Sequence, residues 1–267
     1  GNLQHFLRQD GDKMIQRKPT DRASAEITGY TIIFGLVITS IGITLVGGVP
    51  LLIDSADAEL SDDIRRGLVS FDAGTEDVFH EEAVQREESV KLRRGTVDLG
   101  KKTTRFVLTI DGTEVRNRTS SVLRYTEGTG SSRYERGAVF EMGQNGVAMV
   151  EEPGWMIEDD YVYIKSPKTI GSGSLSGGTV RMEARQAPGG FVKQVAEGDT
   201  ATVKLGVTSN TSEAWLRYFE DIEDEYPAVV DGVSGTPSDN RAEIEFEVDG
   251  TREFYYVEKP ISVRIHG

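Results

Sequence analysis

The fold is predicted most directly by residues 106–115, Phe-Val-Leu-Thr-Ile-Asp-Gly-Thr-Glu-Val. Large apolar side chains recur at every second position, 106, 108 and 110, which is the spacing of one face of a β-strand. The Asp111-Gly112 pair follows at once, and such a pair favours the two-residue turn of a β-hairpin. The segment therefore predicts two antiparallel strands joined by a tight turn.

The same period of two continues on both sides of this hairpin. A second turn of the same kind is indicated by Asn145-Gly146, whereas the glycine- and serine-rich Gly171–Gly178 predicts a flexible loop. Further strands are predicted at Val90–Leu92, Val97–Leu99, Ala138–Phe140, Val147–Val150, Tyr161–Lys165, Thr179–Ala184, Ala201–Thr208, Ala242–Val248 and Glu253–Ile265. Residues 87–267 are therefore expected to form an antiparallel β domain, a sandwich or a strongly curved sheet.

One helix is expected within this domain, from Ser212 to about Tyr226. Trp215, Phe219 and Ile222 share one of its faces, and acidic residues occupy the rest. Ser212 is a suitable N-cap residue, and Pro227 follows the expected end. The helix is predicted to cover the sheet with its aromatic face.

A second decisive segment is Ile27–Ile53, which contains no charged side chain and follows five basic residues within residues 1–26. A helix of 27 residues would be roughly 40 Å long, compared with about 30 Å for the bilayer core. The positive-inside rule would leave residues 1–24 in the cytoplasm as a basic leader. We expect a single transmembrane helix at residues 25–53 with everything after it outside the cell.

This segment carries features that favour association between helices. Gly35 interrupts it, and Ser40, Thr44 and Gly48 recur every fourth residue, so a neighbouring helix backbone has room to approach. Pro50 would leave the carbonyl of Val46 without its helical hydrogen bond, which predicts a kink. Small residues are also common in membrane helices of every kind, so both interpretations stay open.

After the apolar segment, a helical period appears in residues 54–86. Ala56, Leu60, Ile64 and Leu68 follow one another at intervals of four, and Phe71 comes three residues later. Charged residues occupy the other faces, as in an amphipathic helix. The fold class expected from all these segments is therefore α+β: a long N-terminal transmembrane and amphipathic helix, then an antiparallel β-sandwich-like domain with one covering helix.

Composition limits the chemistry that is expected. The net charge is −14 at pH 7, so we expect nucleic acid to be repelled. The chain has no cysteine and three histidines, which excludes disulfides and cysteine nucleophiles. The interpretation is that the chain is not an enzyme and uses no cofactor and no metal ion. Two sequons, at Asn117 and Asn210, are candidate glycosylation sites.

The sequence around residues 21–29, Asp-Arg-Ala-Ser-Ala-Glu-Ile-Thr-Gly, resembles the processing region of archaeal type IV pilin-like precursors. The resemblance implies cleavage by a prepilin-type peptidase near Ala23, Ser24 or Ala25. It also implies that Glu26 pairs with the terminal amine of a neighbouring subunit. The segments Tyr134–Phe140 and Glu151–Pro153 are similar to haloarchaeal exported proteins of unknown activity, and the acidic composition resembles that of halophilic proteins.

Three hypotheses about function agree with the sequence. In the first, the chain is a pilin-like cell-surface subunit with a structural or adhesive role, in contact with membrane lipid and with copies of itself or related subunits. In the second, it is a monomeric membrane-anchored ectodomain that binds a ligand or an envelope component. In the third, signal peptidase releases it at the Ala-Asp-Ala of residues 56–58.

Overall fold

The computed structural model describes residues 49–128, 130–144 and 146–267. They divide into two compact units at Ala58/Glu59, and of the first unit only the beginning of a helix is described. The second unit, Glu59–Gly267, contains the strands. They form one connected hydrogen-bonded sheet that bends around two hydrophobic cores.

Most of the strands lie between the two α-helices of the described residues. In chain order, the elements are α1 Val49–Phe79, β1 Gln85–Ile110, β2 Thr113–Glu127, β3 Gly130–Glu135, β4 Ala138–Gly143, β5 Gly146–Glu151, β6 Met156–Ile157, β7 Tyr161–Ile170, β8 Gly173–Gln186, β9 Phe191–Val195, β10 Thr200–Thr208, α2 Ser212–Glu225, β11 Val230–Thr236, a short 3-10 helix Pro237–Asp239, β12 Arg241–Asp249 and β13 Glu253–His266.

The predicted α+β class is wrong, because the described residues form a mainly β protein with thirteen strands and two α-helices. The strands are longer than their alternating segments suggested. Strand β1 alone absorbs three segments that were predicted separately. The sheet is also not wholly antiparallel, since β13 runs parallel to β7 over ten residue pairs.

Within the described part of the chain, no helix has the length and apolarity needed to cross a membrane. This finding contradicts the predicted transmembrane helix and the single-pass location with an extracellular domain. Asp54, Asp57 and Glu59 follow the apolar start of α1 within ten residues, and each charge inside a bilayer would cost about 3 kcal/mol. Residues 27–48 of the charge-free segment lie outside the described residues.

The hairpin predicted at residues 106–115 is present. Ile110 pairs with Thr113, and both Asp111 and Gly112 have positive φ angles, 49° and 73°, as this kind of turn requires. Beyond the turn, β1 and β2 stay paired as far as Thr96 and Thr126. This long ribbon joins the two halves of the sheet.

Strand β1 changes direction at Gly100. Its first part, from Gln85 to Leu99, pairs with β8, and its last part, from Arg105 to Ile110, pairs with β10. The register with β2 shifts between Leu99 and Thr103, where Gly100 has a φ of 82°. A bulge of this kind bends a strand, and here it turns β1 from one core toward the other.

The first core lies between α1 and the sheet. Ile64, Leu68, Phe71 and Val78 of the helix are almost fully buried, which confirms the amphipathic face predicted from Ile64 to Phe71. The helix ends at Phe79 rather than near residue 86, and β1 already begins at Gln85. The ring of Phe71 meets the ring of Tyr134 edge to face, with 5.3 Å between centroids.

The second core lies under α2. The helix occupies Ser212–Glu225 as predicted, and Trp215, Phe219 and Ile222 are buried against the sheet. The N-cap residue is Thr211 rather than Ser212, and its side chain makes no capping hydrogen bond. The hydroxyl of Thr211 is engaged elsewhere, in a buried polar network.

Candidate functional site

Two consecutive charged residues, Glu135 and Arg136, lie at the turn between β3 and β4, and both are fully buried. Arg136 and Gly137 have φ angles of 56° and 84°, so the chain reverses within two residues. A Cβ on Gly137 would lie 3.2 Å from Pro167, which leaves little space for any other residue. The turn directs the two charges to different sets of partners.

Glu135 is held by neutral donors. The hydroxyl of Thr104 donates at 2.5 Å, that of Ser209 at 3.0 Å and the indole Nε1 of Trp215 at 2.9 Å, and Thr211 also donates its hydroxyl. Several strong donors stabilise a buried carboxylate, and the charge of the buried Arg133 guanidinium also interacts with Glu135. The network therefore connects the turn to β1, to the connection between β10 and α2, and to the start of α2.

Arg136 joins β4, β2, β7 and β13 around a second carboxylate, Glu258. Its Nη1 donates to Glu258 Oε2 and to Ser166 Oγ, both at 2.8 Å, and its Nη2 donates to the carbonyl of Arg118 at 2.8 Å. Arg116 donates to the other oxygen of Glu258 at 2.6 Å. Burial by itself would raise the pKa of Glu258, but the two guanidinium groups outweigh it and hold that pKa below its usual value.

Lys168 adds a further cation beside Arg136, because it lies on β7 two residues after Ser166 and therefore on the same face of the strand. Burial lowers the pKa of Lys168, and the carboxylate of Glu258 opposes that effect. The positive charges of Arg136, Arg116 and Arg118 then lower the pKa further. We call Arg116, Arg118, Arg136, Lys168 and Glu258 together the basic cleft. Four cations there face a single carboxylate, in a chain whose net charge is −14.

The positions of these cations follow from the strand register. Arg118 and Arg116 lie opposite Phe106 and Leu108, so they share the inward face of the β1–β2 ribbon, where Arg116 is partly buried and Arg118 is exposed. The hydroxyl of Ser120, on the same face of β2, donates to the carbonyl of Thr169 at 3.3 Å, which places this edge of β2 against β7. The cleft thus lies where the inward face of β2 meets β7.

A third charged group lies between α1 and the sheet, and we call it the helix junction. Lys165 of β7 forms an ion pair with Glu76 of α1, and Asp72 lies one helical turn before Glu76. Burial raises the pKa of Asp72 to about 8, the charge of Glu76 raises it as well, and Lys165 opposes them. Burial also raises the pKa of the neighbouring Tyr134, as does the charge of Asp72.

Most of the residues predicted to act in processing and assembly lie outside the described residues. They are Ala23, Ser24, Ala25, Glu26, Gly35, Ser40, Thr44 and Gly48. Pro50 is the second residue of α1 as described, so the kink predicted at this position falls on the boundary.

The two sequons differ in their surroundings. Asn210 is exposed in the connection between β10 and α2, but Thr211 and Ser212 that complete its sequon are buried. Asn117 is half-buried on β2, and its side-chain amide donates to Glu114 at 3.2 Å.

Sequence reasoning missed the basic cleft and both buried charges of the β3–β4 turn. One pattern could have revealed part of it, because Arg116, Arg118 and Ser120 recur at every second position after a strong hairpin turn. That spacing places them on one face of β2. The contribution of Lys168 and Glu258 depends on contacts between distant strands, which no local pattern encodes.

The fold and these clusters define a mainly β domain that carries an N-terminal helix on one core and a basic cleft beside the other. The chain belongs to a family of unknown function (DUF7289), whose model matches residues 22–264. No curated protein and no solved structure gives a significant match to the chain.

Proposed function

We propose that the chain is a structural subunit that associates with copies of itself, or with related subunits, through its N-terminal helical segment. This is the role that the resemblance to pilin-like precursors implies for the sequence around Glu26. The proposal assigns no catalytic reaction to the chain. The observation that carries it is the way in which the second half of α1 is built into the β domain.

Residues Glu59–Phe79 of α1 belong to the same compact unit as the sheet. Ile64, Leu68 and Phe71 are at most 2% exposed, so they are core residues of the β domain. Gly67 lies on the same side of the helix and lets Val90 of β1 approach closely. A helix packed in this way transmits force to the domain, which suits a subunit held in an assembly.

The end of the helix is fixed as well. The ammonium group of Lys259 donates to the carbonyl of Phe79 at 2.8 Å and to Glu81 at 2.8 Å. The last carbonyl groups of a helix have no partner within the helix, so a cation placed there stabilises its end. Together with the Lys165–Glu76 pair, this contact secures α1 to β7 and β13.

The proposal is tested with the full chain, produced in cells and purified without denaturation. Its mass is measured by light scattering after size-exclusion chromatography, and the particles are examined by electron microscopy. Replacing Glu26 with Gln is expected to lower the assembled fraction, because the neutral amide cannot pair with a terminal amine. Glu82→Gln removes the same charge at an exposed position that stays in the chain after cleavage, outside the proposed contact, and serves as the control. A monomeric wild-type protein, or equal assembly of the two variants, would contradict the proposal.

A second candidate function is ligand binding by the β domain. The observation that favours it is the basic cleft, whose cations outnumber its carboxylates in an otherwise acidic chain. This function does not require self-association, and both can operate in one subunit.

A further inference from the structure

We propose that the basic cleft binds an oxyanion, a phosphate or sulfate group, between Lys168 and Arg118. The inference does not rest on assembly of the chain, so it stands or fails separately from the structural role. Four observations support it: the excess of positive charge, the fixed orientation of the guanidinium groups, the partial burial of Lys168 and the acidity of the rest of the chain.

The positive charge of the cleft is only partly compensated. Glu258 is 1% exposed and already accepts hydrogen bonds from both Arg116 and Arg136. Among the described residues, Lys168 has no hydrogen-bond partner, and Arg118 donates only to the main-chain carbonyl of Asn117. Glu258 is shared with two arginines and offsets the charge of Lys168 only in part, so a bound anion would relieve the remaining excess of positive charge.

The floor of the cleft is rigid before any ligand arrives. Arg136 is held by three acceptors and lies over the ring of Phe106, with 4.7 Å from its Cζ to the ring centroid. Arg116 is held between Glu258 and the ring of Phe191, at 4.5 Å from the centroid. Groups that are already oriented lose little entropy on binding, so weak individual contacts add up to useful affinity.

The donors suit a tetrahedral oxyanion. Guanidinium groups present planar pairs of N–H donors, and an ammonium group adds a compact charge, which is a common combination around phosphate and sulfate. Arg136 is fully buried, so the donors that an anion can reach are those of Lys168 and Arg118. An oxyanion has several acceptor oxygens and can bind both donors at once.

The surrounding charge restricts what kind of ligand can enter. An extended polyanion such as nucleic acid would have to lie along a chain of net charge −14, which repels it. A small anion, or a single anionic group on a neutral ligand, needs to approach only the cleft itself. The structure therefore favours an isolated phosphate or sulfate group.

The test is a calorimetric titration of the full chain with inorganic phosphate and, separately, with sulfate. Sodium chloride keeps the ionic strength constant, because screening alone changes any charge interaction. We expect saturable binding of both ions to the wild-type protein. Lys168→Gln and Arg118→Gln are each expected to weaken it about tenfold, since each removes one charge-assisted hydrogen bond.

Arg105→Gln is the matched control. Arg105 is exposed and lies on β1 opposite Thr119, on the other face of the same ribbon, so its replacement removes one positive charge outside the cleft. Unchanged affinity in this variant supports a specific site. Equal weakening in Arg105→Gln and Lys168→Gln, or no saturable binding to the wild type, would overturn the inference. Thermal unfolding of each variant shows whether the fold is kept.

Two further measurements identify the ligand more closely. Titration with methyl phosphate shows whether the natural ligand can be a phosphate ester. An ester binds as tightly as inorganic phosphate only if one oxygen of the bound ion faces the solvent, where the methyl group fits. Both outcomes support the site. Nuclear magnetic resonance of the 13C-methylated lysines should show the pKa of Lys168 rising when phosphate is added, since the anion stabilises the charged ammonium. An unmoved Lys168 titration despite saturable binding would place the anion elsewhere and contradict the inference.

Discussion

Glu135 and Arg136 are adjacent in the chain and equally inaccessible to solvent, yet they do not pair with each other. Glu135 accepts hydrogen bonds from hydroxyl and indole groups around the start of α2, whereas Arg136 pairs with Glu258 of β13. The positive φ angles of Arg136 and Gly137 make this separation possible. The β3–β4 turn is thereby bonded both to the start of α2 and to β13.

The first prediction concerns Glu135. Replacing it with Gln keeps the size but changes one acceptor oxygen into a donor that faces other donors. We expect a loss of about 2–4 kcal/mol in the free energy of unfolding, because buried hydroxyl and indole groups lose their acceptor. Urea unfolding followed by tryptophan fluorescence measures it, since Trp215 reports directly. Glu220→Gln, an exposed change on α2, is expected to shift stability by less than about 0.5 kcal/mol. Equal effects of the two changes would refute the role of the network.

The second prediction concerns pH and Asp72. Because burial raises the pKa of Asp72 to about 8 in the folded protein, the folded state holds a proton there that the unfolded state releases above about pH 4. The contribution of this group to stability is therefore complete below pH 4 and is lost progressively as the pH rises through about 8. We expect Asp72→Asn to be more stable than the wild type at pH 9, by roughly 1–3 kcal/mol, and to show a smaller decrease in stability between pH 5 and pH 9.

Urea unfolding at several pH values checks this expectation. Asp63→Asn provides the control, because Asp63 is an exposed residue of α1 that pairs with Arg66 in the same helix. Glu76 and Lys165 are the same in both proteins, so the difference in stability between Asp72→Asn and the wild type is the decisive quantity. If Asp72→Asn follows the same pH profile as the wild type, Asp72 is not the titrating group.

The third prediction concerns Gly171, at the start of the segment that was expected to be a flexible loop. A Cβ on Gly171 would lie 2.3 Å from the carbonyl oxygen of Val263 and 2.6 Å from Leu99. We expect Gly171→Ala to destabilise the protein by about 1–3 kcal/mol, because main-chain atoms cannot move aside easily. Gly143→Ala should have little effect, since a Cβ there meets nothing within 4 Å. Thermal unfolding compares the two, and a neutral Gly171→Ala would contradict the close contact.

The same segment shows why part of the fold could not be predicted from the sequence. Local patterns were sufficient for the Asp111-Gly112 turn and for α2, because turn preference and helical period are properties of neighbouring residues. Residues 173–178 belong to β8 because Thr96 pairs with Ser176, and Asp98 accepts a hydrogen bond from Ser174 at 2.6 Å. Small polar residues without a strand pattern become a strand when a long partner supplies the hydrogen bonds.

The candidate site was hidden for a related reason. The preference for a turn depends on neighbouring residues. The ion pair between Arg116 and Glu258, in contrast, joins residues that are separated by 142 positions in the sequence. The acidic net charge pointed away from anion binding, because an average over the chain conceals a local excess of cations. Only the crossing of β2 over β7 and β13 brings these charges together.

The last prediction concerns the contact between α1 and β1. Replacing glycine with alanine in a helix normally stabilises it by about 1 kcal/mol. At Gly67, however, the added Cβ would lie 2.3 Å from a methyl group of Val90. We expect Gly67→Ala to lower the free energy of unfolding by about 1–3 kcal/mol, because the helix must move away from the sheet. The double variant Gly67→Ala/Val90→Ala removes the obstructing methyl groups and should recover part of this loss, whereas Val90→Ala alone should destabilise by leaving a cavity. Urea unfolding of the four proteins gives the coupling energy between the two positions. Additive effects would mean that α1 and β1 do not meet at Gly67, and the proposed transmission of force from the helix to the β domain would lose its structural basis.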